Sequence, residues 1–217
     1  MRSRSTACKR KHSMKVGILG HGQVGQALAS LFSIAGHDAI VGVRHPSDDR
    51  AKDGDRVASL NDAVDHGDLV VLAIPFSACG DLLPRLAARL AGKVLVDVTN
   101  PLNPDWSPRS MGPDDSGGER IARMVPDATV VKAFNTIFAD TMSPAGRVRG
   151  GHPISAFVAG DLESANTAVA SLAADAGFTP IQVGPLRMAR YLEAMAHLNI
   201  HIAVGLGRGT QSGFVYL

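Results

Sequence analysis

Six consecutive residues, Gly20-His21-Gly22-Gln23-Val24-Gly25, carry the spacing G-x-G-x-x-G. That spacing has chemical meaning in one context: directly after a strand and at the opening of a helix. The β-branched run ahead of it, residues 15–19, reads as a strand. Behind it, residues 23–35 place Val24, Leu28, Leu31 and Phe32 at helical intervals and stop at Gly36. Each glycine then has a mechanical task. Gly20 permits a tight turn, Gly22 lets the backbone approach a diphosphate, and Gly25 lets the helix pack closely on the strand. The free N–H groups and positive end of the helix face that diphosphate. An ordinary glycine-rich turn is the alternative.

The second strand selects the dinucleotide. An NAD site ends this strand with Asp or Glu, which holds the ribose hydroxyls. Here the strand ends in Val43-Arg44-His45, and Asp38 stands at its opposite end. A guanidinium pairs bidentately with a 2′-phosphate, which a carboxylate would repel. NADP(H) is therefore expected over NAD(H), the alternative being that Arg44 is a solvated turn residue.

Other chemistry is missing. The tyrosines, Tyr191 and Tyr216, are not followed by lysine four residues on, and there is no G-x-S-x-G, P-loop or H-E-x-x-H. No catalytic acid, base or nucleophile is assigned. Glu193, His197 and His201 share a helix face, but two histidines without a third well-placed ligand do not make a metal site, and no metal is expected. The same helix carries Met188, Tyr191, Met195, Leu198 and Ile202 on one side and Leu192, Ala196, Ile200 and Ala203 on another. Apolar over so much of its girth, it is expected to be buried in the core or in a homodimer interface, with a substrate-lining role for His201 as the sharper alternative. The region left for a second substrate is small, which suits direct hydride transfer between two organic cofactors. That step needs the two rings in contact more than it needs an acid or base.

The elements that must position these residues alternate. Further strands are expected at 39–43, 69–74, 94–98, 129–133, 155–159 and 179–183, and further helices at 80–90, 161–176 and from 185 to about 206. Pro84 is placed within or near the tolerated first turn of its helix. Strand–helix–strand order implies an α/β Rossmann-type, doubly wound parallel sheet with a small C-terminal strand-helix-strand-helix extension. The expected organisation is a nucleotide-binding domain over 14–140 and an extension over 151–217 that completes the acceptor cleft. Residues 100–118, with Pro101, Pro104, Pro108 and Pro113, read as a long functional loop after a strand's carboxyl end.

Composition bounds the rest. The 217 residues are 45% hydrophobic and 19% charged, which excludes disorder and coiled coil. The longest apolar run, 69–76, is too short to span a membrane. Cys8 and Cys79 make no disulfide framework or zinc spacing, so a reducing, cytoplasmic compartment is the simplest inference. The net charge of +2 depends on Arg2, Arg4, Lys9, Arg10 and Lys11; the remainder has 17 basic against 20 acidic residues. No nucleic-acid partner is expected of so acidic a body. The basic leader, 1–13, is read as an artefact with translation starting at Met14, or else as a disordered arm touching anionic polymers.

From Met14 onward the chain resembles the NADP oxidoreductases dependent on the deazaflavin coenzyme F420, a family that also looks like the nucleotide domain of certain metalloreductases. The resemblance rests on Met14 to Gly20 with its glycine turn, Val43-Arg44, Ala73-Ile74-Pro75-Phe76, Asp97-Val98-Thr99-Asn100-Pro101, Lys132-Ala133-Phe134-Asn135-Thr136 and Gly184-Pro185-Leu186. The chain departs from the family pattern at His21, where a smaller residue is usual, and at the more polar Leu198-Asn199-Ile200. The resemblance implies that Gly20, His21, Gly22, Gln23 and Val24 hold the diphosphate and that Arg44 with His45 holds the 2′-phosphate. It also implies that Ile74 and Pro75 border the nicotinamide ribose and ring, with Asn100, Ala133 and Asn135 completing the pocket.

Two functions follow. The first is an enzyme passing hydride between NADPH and a small-molecule redox acceptor, coenzyme F420 or a flavin. The second is an NADP(H)-binding redox sensor or regulatory module without turnover.

Overall fold

In a computed structural model of the protein, residues 13–46 and 56–217 are described. The leader, apart from Ser13, and Cys8 lie outside the described residues. The first unit is β1 (Lys15–Leu19), α1 (Gln23–Ile34) and β2 (Asp38–Val43). β3 (Val57–Ser59), α2 (Leu60–His66), β4 (Leu69–Leu72), α3 (Cys79–Leu90) and β5 (Val94–Asp97) follow. Then come α4 (Gly117–Met124), β6 (Thr129–Ala133), a hairpin of β7 (Val148–Arg149) and β8 (His152–Pro153), β9 (Ser155–Gly160), α5 (Glu163–Asp175), β10 (Thr179–Gly184) and α6 (Ala189–Ile200). A π-turn over His201–Gly205 ends the last helix.

Eight strands form one sheet in the order β10-β9-β6-β5-β4-β1-β2-β3. From β1 the chain builds outward through β2 and β3, then returns to build through β4, β5 and β6 on the other side. The order thus reverses between β1 and β4, which opens a crevice outside their carboxyl ends. Helices cover both faces. Leu28, Leu31 and Phe32 of α1 and Val169 and Leu172 of α5 pack on one side. Val64 of α2, Leu83, Leu86 and Leu90 of α3 and Ile121 of α4 pack on the other. The unbroken apolar run of β4, buried at all four residues, sits between these layers.

The sequence reading lacks β3 and α2, and the structure refines it at four further points. β9 runs antiparallel to β6, and β10 is parallel to β9, so residues 155–184 extend the same sheet in the reverse direction. The β7–β8 excursion turns the chain round before β9. α4 begins at Gly117, inside the segment read as loop; Ser116 caps it by accepting from the Glu119 N–H (3.1 Å) while its hydroxyl donates to Glu119 Oε2 (2.7 Å). The Ser116 N–H donates to Asp115 Oδ1 (3.0 Å), so this is a serine N-cap rather than a reciprocal capping box. Pro84 is the sixth residue of α3, beyond its first turn and on the exposed side, where its missing N–H is least costly. Finally, α6 buries only one side. Leu192, Ala196 and Ile200 are inside, whereas Tyr191 is 65% and Leu198 56% exposed.

Candidate functional site

The crevice at the strand-order reversal is a cleft of about 770 Å³. Its floor is the glycine turn, with Gly20, His21 and Gly22 lining it. The turn is fixed from both sides: the Gly20 N–H donates to the Gly42 carbonyl (3.0 Å), and the Gln26 side-chain amide donates to the His21 carbonyl (2.9 Å). Gly20 has φ of +112°, and a Cβ there would lie 2.4 Å from the Ala73 carbonyl oxygen. Glycine alone meets both demands. Gly22 is the N-cap of α1 and supplies no side-chain cap, so the first N–H groups of the helix remain available to an anion. A Cβ on Gly22 would meet nothing within 4 Å.

One wall is the end of β2, where Arg44 and His45 line the cleft. The opposite wall is the end of β4 with the start of α3, including Ile74 and Pro75. Seven of the residues expected at the site are thereby gathered around one cavity. Gln23 and Val24 lie beside it at the start of α1, and Gln23 faces a second, shallower hollow with Gln26, Ser30 and Asp140. Ala133 is fully buried in the core.

Asn100 and Asn135 form a separate, tightly linked pair at the ends of β5 and β6. The Asn100 amide donates to the Asn135 carbonyl (2.8 Å), and the Asn135 amide donates to Asn100 Oδ1 (2.9 Å) and to the Leu192 carbonyl (3.0 Å). These contacts orient the Asn135 amide and leave its buried Oδ1 without a partner among the described residues. Phe134, just before it, is buried with φ of +60°, a strained conformation for a bulky residue at the end of a strand.

Residues 15–101 match the protein family described as NADP oxidoreductase, coenzyme F420-dependent. A solved structure from Arthrobacter sp. FB24, provisionally assigned as an F420-dependent NADP-reductase, superposes with a TM-score of 0.82 at 32% identity, covering 94% of this chain and 100% of that one. The chain belongs to the F420-dependent NADP oxidoreductase family. Among curated relatives of this family member, the metalloreductase STEAP3 of Rattus norvegicus is 34% identical over 85% of the chain, which spans only 37% of that protein's length. The F420-dependent NADP reductase of Methanothermobacter thermautotrophicus is 28% identical, covering 88% of the chain and 90% of the relative.

The titratable row on the last helix is broken up by its surroundings. Glu193 is buried and accepts from the Gly117 and Gly118 N–H groups (2.9 and 3.0 Å) while pairing with Lys132 (2.9 Å). His197 Nε2 contacts the Pro101 carbonyl at 3.1 Å; a carbonyl only accepts, so this nitrogen carries the proton. Burial outweighs the pull of Glu193 and holds the His197 pKa below the ordinary histidine value. His201 is exposed, with its ring over Gly205. Among the described residues, no three His, Cys, Asp or Glu side chains gather to hold a metal ion, and no helix is long and apolar enough to cross a membrane.

The cleft also holds residues that motif reading missed. Val57 and Leu60 join the β2 wall, and Ala78, Leu82 and Arg85 of the α3 segment join the other. Among the described residues, Arg44 and Arg85 make no ion pair. The spacing 78, 82, 85 was a readable signal for one helix face, but nothing in the sequence says which face looks into the crevice.

Proposed function

We propose that the cleft binds NADPH and that the protein transfers hydride from it to a deazaflavin of the coenzyme F420 type or to a flavin. In this reading the diphosphate lies over Gly20 to Val24, and the adenosine 2′-phosphate meets Arg44 and His45. The adenine enters between the apolar side chains of Val57 and Leu60 and those of Ala78 and Leu82. The nicotinamide half runs along Ile74 and Pro75 toward Asn100, Ala133 and Asn135. One observation carries the reading: the glycine turn with its uncapped helix start and the cationic end of β2 border the same cavity, at the reversal of strand order. Family membership and the names of the relatives support it. The open space in front of Gly22 fits a diphosphate that needs close backbone approach.

The nicotinamide, when bound, supplies the hydride. The protein's own residues then orient the two rings and shield them from water, which is why no general acid or base has to be found in the cleft. The reading goes with a cytoplasmic setting and with a homodimer covering the exposed stripe of Tyr191, Leu198 and Ile202.

Purified protein is expected to consume NADPH when coenzyme F420, FMN or FAD is added, and to use NADH poorly. Binding of NADPH without turnover on any of the three would transfer the assignment to the redox-sensor function. Sedimentation of a monomer at micromolar concentration would remove the homodimer.

A further inference from the structure

Three charged side chains from three separate elements meet inside the protein. Asp97 at the end of β5 and Lys132 in β6 are fully buried, and Glu193 of α6 is 4% exposed. Asp97 and Lys132 are register partners on adjacent strands, so their side chains leave the sheet on the same face. Lys132 Nζ donates to Asp97 Oδ2 (2.8 Å), to the Thr99 carbonyl (2.6 Å) and to Glu193 Oε1 (2.9 Å). All three ammonium donors are thus used. Burial works to lower the Lys132 pKa, but the two carboxylates outweigh it and keep the amine charged.

Such a cluster is a poor way to gain stability. Taking charges out of water costs several kcal/mol each in round terms, and an apolar cluster of the same volume is often as stable or more so. What charges add is direction. Here the direction converges on one short segment. Asp97 Oδ1 accepts from the Thr99 N–H (2.8 Å), and Lys132 holds the Thr99 carbonyl. His197, one turn after Glu193, holds the carbonyl of Pro101. Asn100 lies between these two anchored residues, locked in turn to Asn135. The packing leaves no slack: a Cβ at Gly117, whose N–H Glu193 accepts, would meet Pro101 at 2.8 Å and Phe76, the neighbour of Pro75, at 3.1 Å.

We infer that the Asp97–Lys132–Glu193 cluster is a brace that positions Asn100 and Pro101 for the nicotinamide half of the dinucleotide, leaving the adenosine half to the glycine turn and the β2 end. The inference rests on the reading of the cleft given above. Glu193 and Lys132 are positioning residues in this scheme, acting through the Thr99–Pro101 segment.

Two ligands separate the halves: NADPH, which occupies both, and adenosine 2′,5′-bisphosphate, which lacks the nicotinamide. Calorimetric titration of Glu193→Gln is expected to show NADPH affinity reduced by about fivefold or more, with the bisphosphate within about twofold of wild type. The double variant Lys132→Met/Glu193→Gln removes one charge of each sign, keeps the net charge of the cluster, and is expected to show the same selective loss. A lower melting temperature with an unchanged ratio of the two affinities would overturn the inference, because the cluster would then only stabilise the fold. Equal weakening of both ligands would overturn it as well. Wild-type protein that bound neither ligand would overturn the cleft assignment together with the brace.

Discussion

Gly25 sits so close to Gly20 that a Cβ at residue 25 would lie 2.1 Å from the Gly20 carbonyl oxygen. The contact joins the first turn of α1 to the end of β1 and explains the third glycine of the motif as a packing requirement. Gly22, three residues earlier, has an ordinary φ of −79° and open space in front of it. The two glycines therefore fail differently. Gly25→Ala is expected to destabilise the protein by about 2 kcal/mol or more, since backbone rather than a flexible side chain must move. Gly22→Ala is expected to keep the wild-type melting temperature and lose NADPH binding, because the new methyl group stands where the diphosphate must approach. Thermal melts paired with NADPH titrations check both; equal melting temperatures for the two variants would contradict this division of labour.

Arg44 and Arg85 face the same cleft from opposite walls. Arg44→Glu should weaken NADPH by more than about tenfold, in line with loss of about 1.5–3 kcal/mol from a charge-assisted bidentate contact, and should leave NADH nearly untouched. Arg85→Gln should give a smaller loss that is also selective for NADPH and that shrinks at high salt, since the group is exposed. Competition titrations with the two dinucleotides measure this. Equal losses for NADPH and NADH would mean that the 2′-phosphate lies elsewhere.

Two groups set separate pH windows. His197 has its folded pKa lowered, mainly by burial, so between that value and about 6.5 the unfolded chain binds more protons than the folded one. Stability contributed by the neutral ring is thus lost as pH falls below about 6.5. Glu119 is lowered chiefly by its hydrogen bond from Arg190, and its contribution, present above the ordinary glutamate range, disappears as pH falls through the folded value. Urea melts from pH 8 to 5 should show a decline that His197→Gln flattens. The decline at more acidic pH should be reduced instead in Glu119→Gln. A His197→Gln profile parallel to wild type above pH 5 would refute the first assignment.

Cys79, the first residue of α3, is fully buried, and burial pushes its thiol up to about 12. A thiol needs its anion to react, so Cys79 should resist iodoacetamide at pH 8 in the native state and label once the protein is unfolded. Peptide mass spectrometry distinguishes it from Cys8. Labelling of Cys79 at native-state rates comparable to a free thiol would show that α3 opens readily.

Seven of the ten described strands, the helix behind the glycine turn and the basic end of β2 were legible in the order of residues, because each is specified by neighbours within a few positions: apolar period, glycine placement, one guanidinium where a carboxylate would otherwise stand. Short elements were not. α2 and α4 are seven and eight residues long and too brief to show a period, though Ser59 and Ser116 cap them in the expected way. The antiparallel entry of β9 was hidden for another reason: strand direction depends on where the intervening chain turns, and period-two alternation is the same in both directions.

By itself, then, the sequence determined a glycine turn at the head of a helix and the sign of charge beside it, both local facts of backbone freedom and side-chain chemistry. Only the tertiary structure decided that Arg85 and Leu82 face the same crevice, and that Asp97, Lys132 and Glu193 share one buried site. Glu193 reaches the N–H of Gly117 across 76 positions of chain. No local rule connects residues so far apart; the sheet register and the docking of α6 bring them together, and the cost of leaving a buried charge unpaired keeps them there.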